Sequence, residues 1–210
     1  MGFQAFWDQK KLAEDEFLNP VLEQAAAHLT MHIAEHAPDC IFVHAGVVEW
    51  KGRALLLPAV SYGGKSTLVA ELVRAGATYY SDEFAPIDRA GRVHPFLREL
   101  RMRRPGQAEQ CPVAIEQFQG RAGNRAVPIS MVLFTQFEAN GRWAPERLSP
   151  GRAALEMLLH TIPVQRTPAR VLATLSAVMS EVQAWSSARG EAADIVPALL
   201  GALGANGALA

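Results

Sequence analysis

The stretch Leu55-Leu56-Leu57-Pro58-Ala59-Val60-Ser61-Tyr62-Gly63-Gly64-Lys65-Ser66-Thr67 constrains the fold of this 210-residue chain more than any other. An apolar run of strand length enters a turn of small residues that closes on Gly64-Lys65-Ser66. Leu68, Val69, Leu72 and Val73 then recur at helical spacing, with Gly76 as a stop. Strand, tight turn and helix in that order leave main-chain N–H groups free at the helix N-terminus, where they cradle an anion. In the pattern G-x-x-x-x-G-K-[ST] the lysine reaches the outer phosphates of a nucleotide and the hydroxyl ligates Mg²⁺. Ala59 stands at the first glycine position. That exchange strains the loop only if the position requires positive φ. Ala59, Val60, Ser61, Tyr62, Gly63, Gly64, Lys65, Ser66 and Thr67 are therefore the candidate nucleotide-binding residues. Lys65 is expected on phosphate and Ser66 on Mg²⁺, with Thr67 suited to capping the helix. Tyr62 either covers the nucleotide or packs on the neighbouring strand.

Composition narrows the alternatives. Half the residues are hydrophobic and 20% charged, enough to bury the core of one domain with an appendage. The net charge of −1 supplies no electrostatic footprint for wholesale binding of nucleic acid or membrane. Cys40 and Cys111 lack metal-ligand spacing, and there is neither a secretory leader nor an apolar run of membrane-spanning length. A cytoplasmic location follows as the expectation.

Along the chain, residues 8–37 read as helix, interrupted at Pro20, with Asn19 capping a second helix. The expected organisation is a helical segment over 1–38 packed on a core at 39–204, with 205–210 frayed. Residues 40–48 are β-rich. Lys51-Gly52 marks a turn into a second strand at 54–58, so an antiparallel hairpin should feed the loop. A strand at 77–80 runs into Ser81-Asp82-Glu83 and is expected beside the strand at 54–58. A hairpin is expected at 87–93, a strand at 101–103, irregular structure with a short strand or helix piece at 104–126 and a buried strand at 130–135. Ser149 and Pro150 open a helix as cap and first-turn proline. The remainder reads as helix at about 151–160, 168–184 and 191–202. The class is α/β, with a β-rich middle and a helical C-terminal third.

Carboxylates at the C-terminal end of a strand sit where open α/β sheets gather ligands. Of Asp82 and Glu83, one would serve as general base on an incoming hydroxyl and the other would orient Mg²⁺ or its waters. Strand alternation sends neighbouring side chains to opposite faces, so both serve only if the chain bends at Ser81. The other reading is a solvated acidic turn. His44, alone in an apolar strand, is either a hydrogen-bonded core residue or a catalytic one. Arg98, Arg101, Arg103 and Arg104 either grip phosphate or an acidic partner, or blunt an exposed edge. Arg121 and Arg125 lie in a glycine-containing loop able to close over a substrate.

These residues together resemble a known family. His44-Ala45-Gly46-Val47-Val48, Gly52, Gly64-Lys65-Ser66-Thr67, Gly76 and Ser81-Asp82-Glu83 are similar to the catalytic domain of HPr kinase/phosphorylase, and more so to small HPr-kinase-like proteins of bacterial gene clusters. The resemblance spans about residues 40–96 and extends more loosely through 130–135 and Leu148-Ser149-Pro150. It implies a P-loop core of the HPr-kinase/PEP-carboxykinase kind. It also implies an active site completed by a histidine before the phosphate loop, His44, and an acidic pair after it, Asp82 and Glu83, with Asp82 taking the proton from a substrate serine. Self-assembly is implied too, since the family is often hexameric. Ala59 and Tyr62 replace positions that are usually glycine in the small relatives.

The expected activity is ATP- and Mg²⁺-dependent transfer of the γ-phosphoryl to a serine-type hydroxyl of a peptide, protein or small molecule. The catalytic residues would be Asp82, His44 and Lys65, with Ser66 and Glu83 at the metal. The alternative, motivated by Ala59 and Tyr62, is a nucleotide-binding regulator or degenerate kinase without transfer.

Overall fold

The computed structural model describes residues 2–59, 63–103, 110–205 and 209, and forms two compact units, Met1–Pro38 and Asp39–Ala210. Val60, Ser61, Tyr62 and Arg104 lie outside the described residues.

The first unit opens with an antiparallel hairpin of β1 (Phe3–Trp7) and β2 (Lys10–Asp15), followed by α1 (Leu18–His36). Residues 8–17 are thus turn and strand, which corrects the helical expectation. The reason is local. Asp8 takes φ 51°, a left-handed conformation that aspartate tolerates, and reverses the chain. One helix then starts at Leu18 without a side-chain cap, so Asn19 does not cap a second helix. Pro20 falls in its first turn, where a missing N–H costs nothing.

The second unit is a mixed α/β fold built around β3 (Cys40–Trp50) and β4 (Arg53–Pro58), paired antiparallel from Ala45↔Pro58 to Trp50↔Arg53. The hairpin is as expected. Lys51 and Gly52 turn it with φ of 51° and 81°, the double left-handed geometry that matches strand twist. α2 (Lys65–Arg74) then leads to β5 (Thr78–Ser81) and β6 (Phe84–Asp88). These two lie end to end along the other edge of β3: Val47 pairs with Ser81 and His44 with Phe84. Asp82 and Glu83 fill the gap between them, opposite Gly46 and Ala45. β5 therefore does not neighbour β4, contrary to expectation. β4 has β3 on one edge and β11 on the other, which leaves β5 the far edge of β3.

β7 (Arg92–Val93) completes the expected hairpin with β6 and also meets β11. β8 (Leu100–Arg103) and β9 (Gln110–Val113) form a separate ribbon, and β10 (Arg121–Ala122) adds to β5. β11 (Val127–Phe137) runs parallel to β4 on one side. On the other it is parallel to a strand in the C-terminal third, β13 (Gln183–Arg189), whose outer edge takes β12 (Glu146–Arg147). The pairings β3–β6–β7–β11–β4–β3 return to their start.

Side chains alternate between two cores, the period-2 signature of a sheet covered on both faces. Val43, Val47, Leu56 and Val132 face α3 (Pro150–Leu158) and α4 (Pro168–Glu181). Val48, Leu55, Leu57 and Leu133 face α2 and α5 (Ala192–Gly204). Ser149 caps α3 through the N–H of Arg152, with Pro150 behind it, as expected. The helix expected over 168–184 stops at Glu181, and β13 follows it where no strand is expected. Its sequence, Gln-Ala-Trp-Ser-Ser-Ala-Arg, carries little β preference; pairing with Met131–Phe137 makes it a strand. Leu209, inside the stretch expected to fray, is buried in the second core. No described helix is long and apolar enough to cross a membrane.

Candidate functional site

The loop after β4 delivers the chain to α2 through Gly63 and Gly64. Gly64 is the N-cap, at φ 77° and with no side-chain cap. Lys65, Ser66 and Thr67 form the first turn, so their N–H groups have no intrahelical acceptor. Thr67 is exposed and does not cap. The positive-φ residues other than glycine are Asp8, Lys51 and Gln119 among those described. Ala59 is not one of them, and alanine there introduces no left-handed strain.

One main-chain donor and one side-chain donor grip this turn from outside. The Phe137 N–H donates to the Gly63 carbonyl at 3.2 Å, and Arg189 Nη2 donates to the Gly64 carbonyl at 2.7 Å.

On the inside, α2 meets the gap between β5 and β6. The Ser66 hydroxyl donates to Asp82 Oδ2 at 2.6 Å, while Asp82 Oδ1 is buried without a hydrogen-bond partner. Burial raises the Asp82 carboxyl to about 6; nearby Lys65 and the Ser66 hydrogen bond pull the other way. Lys65 Nζ lies 3.1 Å from His44 Nε2. An ammonium can only donate, so Nε2 accepts and the imidazole proton sits on Nδ1. Burial, then the Lys65 charge, pushes His44 down to about 4, and burial also lowers Lys65. The ring further hydrogen-bonds the main chain of Ala59. Each ionisable group is thus driven toward neutrality by desolvation, with its neighbours' charges as the weaker influence.

Glu83 goes elsewhere. Ser81 Oγ accepts from the N–H groups of Glu83 and Phe84, which makes the bend that strand alternation requires. Beyond it Glu83 pairs with Arg98 Nη1 at 2.6 Å. Tyr79 anchors that arginine's segment by donating to the Arg98 carbonyl. Glu83 still acts on Lys65 and His44 through its charge.

The structure therefore brings together His44, Gly63, Gly64, Lys65, Ser66 and Asp82, with Ala59 at the margin. Glu83 is directed to Arg98, not to Ser66. Arg101 stands on the separate β8–β9 ribbon, Arg121 on β10, and the Arg125 carbonyl accepts from Tyr80 Oη. Among the described residues no group of three or more His, Cys, Asp or Glu side chains is placed to hold a metal ion. Sequence reading missed His160, whose carbonyl accepts from the His44 N–H at 2.7 Å and whose ring is pushed down by burial. It also missed Arg189. Neither carries a local pattern; a contact made 125 residues away in sequence leaves no periodic trace.

No protein-family model matches the chain, and no curated protein matches it either.

Proposed function

We propose that the α2 N-terminus binds the phosphates of ATP and that the protein transfers the γ-phosphoryl to a serine-type hydroxyl of a peptide, protein or small molecule. The reading takes in the HPr-kinase-like resemblance and its P-loop core. One observation carries it: a buried carboxylate, Asp82, with one oxygen on Ser66 and the other unpartnered, beside a desolvated lysine in the first turn of α2.

The free first-turn amides and Lys65 hold anionic oxygens, and desolvation makes Lys65 favour an anionic partner over bulk water. Phosphate binding exchanges the Lys65–His44 hydrogen bond for one from the Lys65 ammonium to an anionic oxygen. An oxygen donor suits Mg²⁺, and Ser66 Oγ would supply one; Glu83, held by Arg98, is not directed there. When bound, Mg²⁺ would neutralise charge on the phosphates. Asp82 Oδ1 accepts the proton of the acceptor hydroxyl as its oxygen bonds to the γ-phosphorus and the bond to the bridging oxygen breaks, releasing ADP. His44 keeps Lys65 oriented through their hydrogen bond.

Lys65→Ala is expected to abolish the rise in melting temperature that ATP with Mg²⁺ produces in the wild type. Asp82→Asn should keep that rise and lower transfer about 100-fold or more, measured as ADP and phosphorylated product. Wild-type transfer by Asp82→Asn removes the base assignment. The second reading, a nucleotide-binding regulator, draws on the Ser66–Asp82 hydrogen bond, which leaves the carboxylate tying down the loop. Binding without ADP formation would favour it.

A further inference from the structure

We infer that Arg189 is a positioning residue that aims the anion-binding amides of the α2 N-terminus. The inference rests on the phosphate-binding part of the proposed function.

Arg189 ends β13 and is 1% exposed, among the largest fully buried side chains. Nη1 donates to the Gly190 carbonyl at 2.9 Å and Nη2 to the Gly64 carbonyl at 2.7 Å, while Nε is buried without a partner. The guanidinium lies over the Phe137 ring, 5.8 Å from its centroid. In a trans peptide the C=O and N–H point in opposite directions. The Gly64 carbonyl also accepts from the Leu68 N–H at 3.2 Å, and Arg189 adds a second donor that holds the same peptide plane, with the Lys65 N–H turned away from it toward the N-terminal end of α2. The Phe137 N–H does the same for the Gly63–Gly64 peptide, sending the Gly64 N–H inward. The ends of β11 and β13 thus act as a bracket behind two consecutive amides. Glycine is required within it, since a Cβ at residue 64 would stand 2.6 Å from Arg189 Nη2.

A buried cation is costly, and a fold that needed only to fill this volume would be served by an apolar side chain. A cation here does two things such a side chain cannot. It reinforces the peptide plane that the Leu68 N–H also holds, and it adds positive charge behind the anion site.

The test is inorganic pyrophosphate binding by calorimetry, with melting temperature read in parallel. Arg189→Lys keeps the charge but lacks the planar fork that spans two carbonyls. Its dissociation constant for pyrophosphate should rise about tenfold, the scale of one hydrogen bond to a charged group. Leu175→Ala, in the other core on α4, is the stability control: it should lower the melting temperature yet bind pyrophosphate as the wild type does. Wild-type affinity in Arg189→Lys, or an equal loss in Leu175→Ala, overturns the inference. Phe137→Ala removes the ring and keeps the main-chain donor. If Arg189→Lys does not fold, a weakened affinity in Phe137→Ala supports the bracket and an unchanged one overturns it. A wild-type protein that does not bind pyrophosphate defeats the phosphate-site reading itself, a result distinct from a variant that binds normally.

Discussion

Asp82 and His44 impose opposite pH dependences on folding. Burial lifts Asp82 from 3.8 to about 6. Between those values the folded protein holds a proton that the unfolded chain has released, so this stabilisation is full below pH 3.8 and lost as pH rises through 6. His44 is depressed from 6.5 to about 4. Its contribution is full above pH 6.5 and lost as pH falls through 4, because the unfolded imidazole takes the proton first. The two slopes offset one another in the interval they share. Asp82→Asn removes the first and retains an oxygen to accept from Ser66. In the absence of nucleotide and Mg²⁺, it should be more stable than the wild type at pH 7.5 by about 1–3 kcal/mol, with the gain gone near pH 4. Urea denaturation across that range measures it. A less stable Asp82→Asn at pH 7.5 would mean that burial does not govern this carboxylate.

At the scale of elements, the site depends on how closely α2 can lie on β3. Gly46 faces the first turns of α2, and a Cβ there would come 2.7 Å from Val69 Cγ2 and 3.1 Å from Lys65 Cγ. Val69 is fully buried and has little room to turn. Gly46→Ala should therefore lift the helix start and destabilise the protein by about 1–3 kcal/mol. Adding Val69→Ala should recover part of that loss, a coupling that a double-mutant cycle reads directly. Additive losses would show that the close approach is not the constraint. The apolar spacing of α2 was legible in sequence, and so was the Ser149-Pro150 start of α3, because both are set by neighbours within one or two turns. β13 was not, since its strand state comes from pairing with β11.

For the whole molecule, both cores draw their members from residues 41–209. Removal of residues 1–38 should leave a chain that unfolds in one cooperative step and binds pyrophosphate as the intact protein does. Circular dichroism melting and calorimetry check this. A non-cooperative melt would show that the second unit does not fold on its own.

Residues 55–76 announced a strand, a glycine turn and a helix start because each of those choices is settled by short-range sterics and helical period. The β3–β4 hairpin was announced by its Lys51-Gly52 turn for the same reason. Sequence reading alone could nominate His44 and Asp82 but not say which neighbour each would meet. Strand order answered that, placing β5 and β6 along β3 and so aiming Asp82 at Ser66 while Glu83 turned to Arg98. Arg189 shows the limit most plainly. Its role comes from a single long-range contact, and such contacts exist only once the sheet has assembled and excluded water from them.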